Sequence, residues 1–231
     1  ASLSSTVLNN LTTTQWGGIS AAQLGALTTT QVSNLTSTTL GYLSGSKLAS
    51  LGTAALGVLG TSTLAGLTTG QVALWSVAQI QNLSTANLAA LSTDVIRALN
   101  DKQVAGLTTT QVASLNSTTF AALSSAQIAK LEVADVAVLS TSRIAEFTST
   151  QLAGLSATQI ASLTTAQVNA LNTTTLDRLS STQISQLATD DVAALTVANL
   201  NALGSAKIKA LTVGQIAALT TEQVNGLTAT T

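Results

Sequence analysis

A strict eight-residue repeat constrains this chain more than any other feature. Large apolar residues recur every eighth position from Leu3 to Leu227, and a second apolar row, from Leu8 to Val224, follows five residues behind the first. We letter the eight positions a to h, so that each octad begins in the first row. No insertion or deletion interrupts the 28 full octads of residues 3–226. The sequence therefore predicts a single continuous repeat array over residues 1–231, and we expect this array to be a fragment of a longer chain.

Neither one continuous helix nor one flat strand suits a period of eight. Eight residues of α-helix turn through about 800°, so an apolar stripe would drift by about 80° in every octad and no partner could bury it. In a strand, positions a and f are separated by odd numbers of residues and would point to opposite faces. The chain must therefore turn within each octad.

Positions b and e together carry a helix-start signal. Position b is Ser, Thr or Asn in 24 of 29 cases, and position e is Gln in 14 of 28 octads. Ser or Thr followed three residues later by Gln is the capping box, in which each side chain bonds the other residue's backbone N–H. The clearest predicted caps are Thr12, Thr28, Thr68, Thr108, Ser124 and Thr164, with Gln15, Gln31, Gln71, Gln111, Gln127 and Gln167 as their partners. Each octad is thus predicted to form one helix running from about c to the next a.

Helices this short are not stable in isolation, so neighbouring octads must supply the stabilising contacts. Positions f and a offer two large apolar groups per octad, and the small residues at g and h allow close approach. The predicted fold is an all-α solenoid, or superhelix, with stability distributed over contacts between neighbouring repeats. The alternative is a β-solenoid, because Thr, Val and Ile also favour strands.

Composition excludes several classes of function. Charged residues make up 7% of the chain, and His and Cys are absent, so the usual general base, thiolate nucleophile and zinc ligands are missing. Eight scattered basic residues provide no patch for nucleic acid. We therefore expect no enzyme, cofactor or metal site, and Glu132 with Asp135 and Asp190 with Asp191 are interpreted as solvated surface carboxylates. Polar residues interrupt every apolar run, so no membrane span is expected, and no signal peptide is visible.

The hydroxyl groups at b, c and d are the most distinctive predicted surface. Stacked octads would align segments such as Thr12–Thr14, Thr28–Thr30 and Thr108–Thr110 as ladders. The position c members of this possible surface are Thr13, Thr29, Thr69, Thr109 and Thr165. Such a lattice could bind something periodic, such as ice or a glycan, whereas the simpler interpretation is that these hydroxyls cap and solvate the first helical turn.

A weaker period of 56 residues overlies the octad. Asn116 and Asn172 share this spacing, as do Asp135 and Asp191. Seven octads could reflect duplication of a genetic unit, or the number needed to return to an equivalent place on a superhelix.

Trp16 and Trp75 occupy core positions f and a, where packing is the preferred role.

The octad Leu107-Thr108-Thr109-Thr110-Gln111-Val112-Ala113-Ser114 resembles the Ser/Thr-rich repeat regions of large bacterial secreted or surface proteins described as adhesin-like. That resemblance implies an extracellular or cell-surface setting and a bacterial origin. We predict a structural protein that forms a rod, tube or filament segment, with self-association between neighbouring repeats or subunits. The alternative is a binding module for ice or glycans that uses the hydroxyl ladders.

Overall fold

The chain folds as an all-α solenoid, as the capping pattern predicts. The computed structural model describes residues 3–227, which form 27 helices and no strand, so the β-solenoid alternative is wrong for this part of the chain. The chain divides into two compact units, Ala1–Ala122 and Leu123–Thr231. The octad register runs without a break through both units.

The helices coincide with the octads, one helix to each. The first unit contains α1 Ser5–Asn9, α2 Thr13–Gly18, α3 Ala21–Gly25, α4 Thr29–Ser33, α5 Ser37–Gly41, α6 Gly45–Ala49, α7 Thr53–Gly57, α8 Thr61–Leu64, α9 Thr69–Val72, α10 Val77–Gln81, α11 Thr85–Ala89, α12 Thr93–Ala98, α13 Asp101–Ala105, α14 Thr109–Ser114 and α15 Ser117–Ala122. The second unit contains α16 Ser125–Ile128, α17 Val133–Ala137, α18 Thr141–Ala145, α19 Ser149–Gly154, α20 Ala157–Ala161, α21 Thr165–Ala170, α22 Thr173–Arg178, α23 Ser181–Ser185, α24 Thr189–Ala194, α25 Val197–Ile208, α26 Val213–Ala217 and α27 Thr221–Gly226. The exception to one helix per octad is α25, which joins two octads across Gly204, whose φ of 68° and ψ of 167° are not helical.

Each helix begins at its cap and ends where the chain becomes extended. In α2, Thr12 has φ −73° and ψ 163°, and Ile19 at the other end has φ −72° and ψ 126°. The Ile19 N–H bonds the Trp16 carbonyl at 3.3 Å, a tightened last turn that links position a back to position f. Most helices span four to six residues, slightly shorter than the sequence predicts, because position a has already left the helix.

Helices three octads apart pack against each other within each unit. Helix α4 contacts α1 and α7, and α21 contacts α18 and α24. The large residues at a and f fill the space between them, with Trp16 and Leu176 both at 0% exposure. Trp75 is also buried, so both tryptophans belong to the core, as predicted.

Glycine at h allows two stacked helices to approach closely. A Cβ atom added to Gly154 would lie 2.8 Å from the Cα of Ser125, which begins the helix three octads earlier. Gly106 and Gly226 face Val77 and Val197 in the same way, 29 residues earlier in each case. These small residues therefore set how tightly successive turns can stack.

Replacement of Gly154 should separate two turns, and Gly214 provides a matched control. We expect Gly154→Ala to lower the free energy of unfolding by about 1–3 kcal/mol, because the new methyl group overlaps the Ser125 backbone. In Gly214→Ala the nearest neighbour of the new Cβ would be Thr189 Oγ1, at 3.8 Å, so the gain in helix propensity should leave stability unchanged or up to about 1 kcal/mol higher. Urea denaturation followed by circular dichroism measures both, and equal effects would contradict the close-stacking argument.

Candidate functional site

The hydroxyls at b cap the helices that follow them. Most cap oxygens accept the backbone N–H three residues later, at 3.3 Å in Thr12 and 3.2 Å in Thr108. The same bond is made by Thr28, Ser124 and Thr164 to the N–H groups of Gln31, Gln127 and Gln167. Thr68 differs, because the Gln71 N–H bonds its backbone carbonyl at 3.1 Å instead of its hydroxyl. These bonds satisfy one of the unpaired N–H groups at each helix start.

The glutamines at e complete the capping box from the other side. Gln15 Oε1 accepts the Thr12 N–H at 2.8 Å, and Gln71 Oε1 accepts the Thr68 N–H at 2.9 Å. The corresponding bonds of Gln31, Gln111, Gln127 and Gln167 have lengths of 2.8–3.1 Å. One amide oxygen thus fixes the extended backbone at b before each helix.

The amide nitrogen of the same glutamines bonds a different turn of the superhelix. Gln159 Nε2 donates to the carbonyls of Leu131 at 2.8 Å and Ile128 at 2.9 Å, which lie 28 and 31 residues earlier. We call the set of glutamines that make such bonds the glutamine ladder. In the first unit it includes Gln31, Gln71, Gln79, Gln103 and Gln111, and in the second Gln151, Gln159, Gln167, Gln183, Gln215 and Gln223. Each of these side chains therefore pairs one backbone N–H of its own octad with a carbonyl of the preceding turn.

Burial follows from this second role. Gln103 and Gln159 are each 1% exposed, although sequence reasoning places them in a surface cap. In contrast, Gln15 and Gln23, in the first turn, are exposed, and Gln31 begins the inter-turn pattern by donating to the Leu3 carbonyl at 2.6 Å. The inter-turn role was missed because it depends on an offset of 28 residues, which the octad period alone does not contain.

Other donors at e reach the same carbonyl groups. Asn87 Nδ2 donates to the Leu59 oxygen at 3.0 Å and the Gly57 oxygen at 3.2 Å. Lys47 Nζ donates to the Trp16 and Gly17 carbonyls at 2.7 Å and 2.6 Å. Position e therefore provides a donor to the end of an earlier helix, whether an amide or an ammonium group supplies it. These two bonds give the Lys47 ammonium group a structural role.

Two carboxylates occupy the same buried position, which corrects the interpretation of both as solvated surface groups. Asp135 is 1% exposed and Asp191 is 2% exposed. Burial raises the pKa of Asp135, the hydrogen bond from the Glu132 N–H lowers it, and the negative charge of Glu132 raises it further, so that the net shift is upward. Glu132 and Asp190 themselves are exposed. The sequence contained the relevant signal, because both buried aspartates stand at e.

The hydroxyls at c lie on the outside of the solenoid. Thr13, Thr29, Thr69, Thr109 and Thr165 are all exposed. However, stacking partners are three octads apart, so Thr28–Thr30 lies beside the octad that carries Gly52, Thr53 and Ala54 and not beside Thr12–Thr14. Thr165 in addition donates its hydroxyl proton to Asp191 Oδ1 at 2.7 Å. The surface is rich in hydroxyls, but the rows differ in composition from one turn to the next.

Residues 3–227 contain no group of three or more acidic, His or Cys side chains placed to hold a metal ion. None of the described helices combines the length and apolar character needed to cross a membrane.

Three segments of the chain match the sequence model of the ALTTAQ repeat family, at residues 80–117, 128–165 and 197–229. These segments lie in both units and include six of the ladder glutamines: Gln103, Gln111, Gln151, Gln159, Gln215 and Gln223. No curated protein is significantly similar to the chain. These three segments are therefore similar to ALTTAQ repeats.

Removing one ladder amide should destabilise the solenoid far more than removing an exposed capping glutamine. Gln159→Leu leaves the Ser156 N–H and the Leu131 carbonyl without their bonds, and we expect it to cost about 2–4 kcal/mol. Gln23→Leu removes only the bond to the Ser20 N–H, at 2.8 Å, and should cost less than about 1 kcal/mol. Chemical denaturation of both variants measures the difference, and similar costs would show that the inter-turn bonds contribute little.

The buried carboxyl of Asp135 makes stability depend on pH. Because its pKa is raised in the folded protein, its favourable contribution is complete below the unfolded value of 3.8 and is lost as the pH rises through the folded pKa. Asp135→Asn should therefore raise the melting temperature at pH 7, and the gain should disappear below about pH 4. Asp190→Asn removes the same charge at an exposed position and should show no such pattern in thermal melts across pH.

Proposed function

We propose that this chain is a structural repeat protein that forms a rod, tube or filament segment and has no catalytic role. The observation that carries the proposal is the glutamine ladder, in which the same bond joins consecutive turns at a constant offset of 28 residues. Because each turn offers the next one the same carbonyls and the same apolar surface, such a solenoid can lengthen without a new type of contact. This property suits a surface stalk, a spacer or a fibre.

The composition of the outer surface supports this role. Position d is exposed in every described octad, and hydroxyls, alanines and amides make up most of the exterior. An exterior with few charges is suited to spacing or displaying other domains. The resemblance to adhesin-like repeats leads us to propose an extracellular or cell-surface location.

Self-association is part of the same proposal. In the first turn, Leu3 and Val7 are 49% and 44% exposed, and in the last described turn Ile216 and Val224 are 46% and 53% exposed. Leu3 stands at a and Val7 at e, whereas Ile216 and Val224 stand at f, where every other described residue except the half-buried Ile208 is almost completely buried. These turns therefore present apolar groups that another turn of similar repeats would cover. Neighbouring repeats or another subunit would supply that turn.

Small-angle scattering of the isolated chain tests the proposed shape. We expect an elongated particle, and removal of the seven octads of residues 163–218 should shorten it by about a quarter while leaving its cross-section unchanged. This deletion preserves both the octad register and the 28-residue offset. A compact globule, or a deletion that changes the cross-section, would contradict the proposal.

Binding of ice or glycans through the exterior hydroxyls is a separate hypothesis with its own measurements. Thermal hysteresis and a glycan array test it directly, and null results in both would remove it.

A further inference from the structure

Asp191 has an unusual position within the glutamine ladder. It lies at e in α24 and is 2% exposed, with Oδ1 accepting the Thr165 hydroxyl proton at 2.7 Å. Its second oxygen, Oδ2, is buried and has no hydrogen-bond partner among the described residues. A buried and unpaired carboxylate oxygen is costly, so it calls for a specific explanation.

Equivalent side chains show what surrounds this position. Asn87, which has the same size as an aspartate, donates to the carbonyls 28 and 30 residues earlier, at 3.0 Å and 3.2 Å. Asn199, in the octad after Asp191, donates to the Leu171 carbonyl 28 residues earlier, at 3.4 Å. The corresponding carbonyl for Asp191 is that of Leu163. A carboxylate has no N–H to donate to that carbonyl.

No basic side chain on the packed helices supplies the missing positive charge. Helices α21 and α26 both contact α24, and neither of their sequences contains a charged residue. Asp190, next along the chain, is exposed and carries the same sign of charge as Asp191. The group that neutralises Asp191 must therefore come from outside these helices.

We propose that the Asp191 position binds a small monovalent cation, Na⁺ or K⁺. Asp191 Oδ2, the Leu163 carbonyl and the Thr165 hydroxyl oxygen would be its protein ligands, and oxygen atoms of this kind replace the hydration shell of such ions. One positive charge balances one carboxylate in a buried place. A divalent ion such as Ca²⁺ takes six to eight oxygen ligands, often from several carboxylates, and this position offers only one carboxylate.

Thermal unfolding in different chloride salts of equal ionic strength tests the proposal. The wild-type chain should melt about 2–4 °C higher in sodium or potassium chloride than in tetrapropylammonium chloride, whose cation is too large to enter. Asp191→Asn should abolish this difference, because its amide can donate to the carbonyl as Asn87 does. Asp190→Asn, which removes an exposed charge from the same helix, should retain the full difference.

A difference that persists in Asp191→Asn would overturn the proposal, as would its absence from the wild-type chain. Stabilisation of the wild type by acid alone, with no dependence on the cation, would also overturn it, because a proton would then fill the role. Crystals of the wild-type chain grown in rubidium chloride provide a direct readout. An anomalous peak beside Asp191 Oδ2 is expected, and its absence would contradict the assignment. None of these results depends on the particle being elongated.

Discussion

The buried side-chain amide at position e is the interaction on which the rest of the structure depends. Its oxygen accepts the N–H of the capping residue, and its nitrogen donates to a carbonyl of the preceding turn. A helix of five residues leaves most of its N–H and C=O groups without intrahelical partners. The amide satisfies groups of both kinds at once, at the start of one helix and beyond the end of another, and this allows very short helices to be buried.

The 28-residue offset connects this bond to the longer period in the sequence. The bond runs from position e of one octad to position a of the octad three before it, and twice its 28-residue offset is 56 residues. Within the second unit, Asp135 and Asp191 are separated by that number and occupy equivalent buried positions. This equivalence is expected from duplication of a seven-octad unit, and the structural interpretation of the 56-residue period stays a prediction.

Local features could be predicted from the sequence because their determinants are local. The cap at Thr12, its partner Gln15 and the core position of Trp16 all follow from spacing within one octad. The burial of Gln159 and Asp191 could not, because it arises from the turn 28 residues earlier. The close approach of Gly154 to Ser125 could not be predicted for the same reason, because a small residue at h does not indicate which helix it contacts. An octad pattern specifies the helix but leaves the number of octads per turn open.

The frequency of glutamine at position e follows from the same bond. Position e lies beside backbone carbonyls of an earlier turn, and a neutral amide donates to them without the cost of burying an ion. Lys47 satisfies the carbonyls of Trp16 and Gly17 with an ammonium group, but it is only partly buried. Asp191 places a hydrogen-bond acceptor where glutamine supplies a donor, and its Oδ2 atom has no hydrogen-bond partner. Glutamine is therefore the residue that satisfies both ends of the connection, and its frequency at e reflects the physics of the stack as much as helix capping.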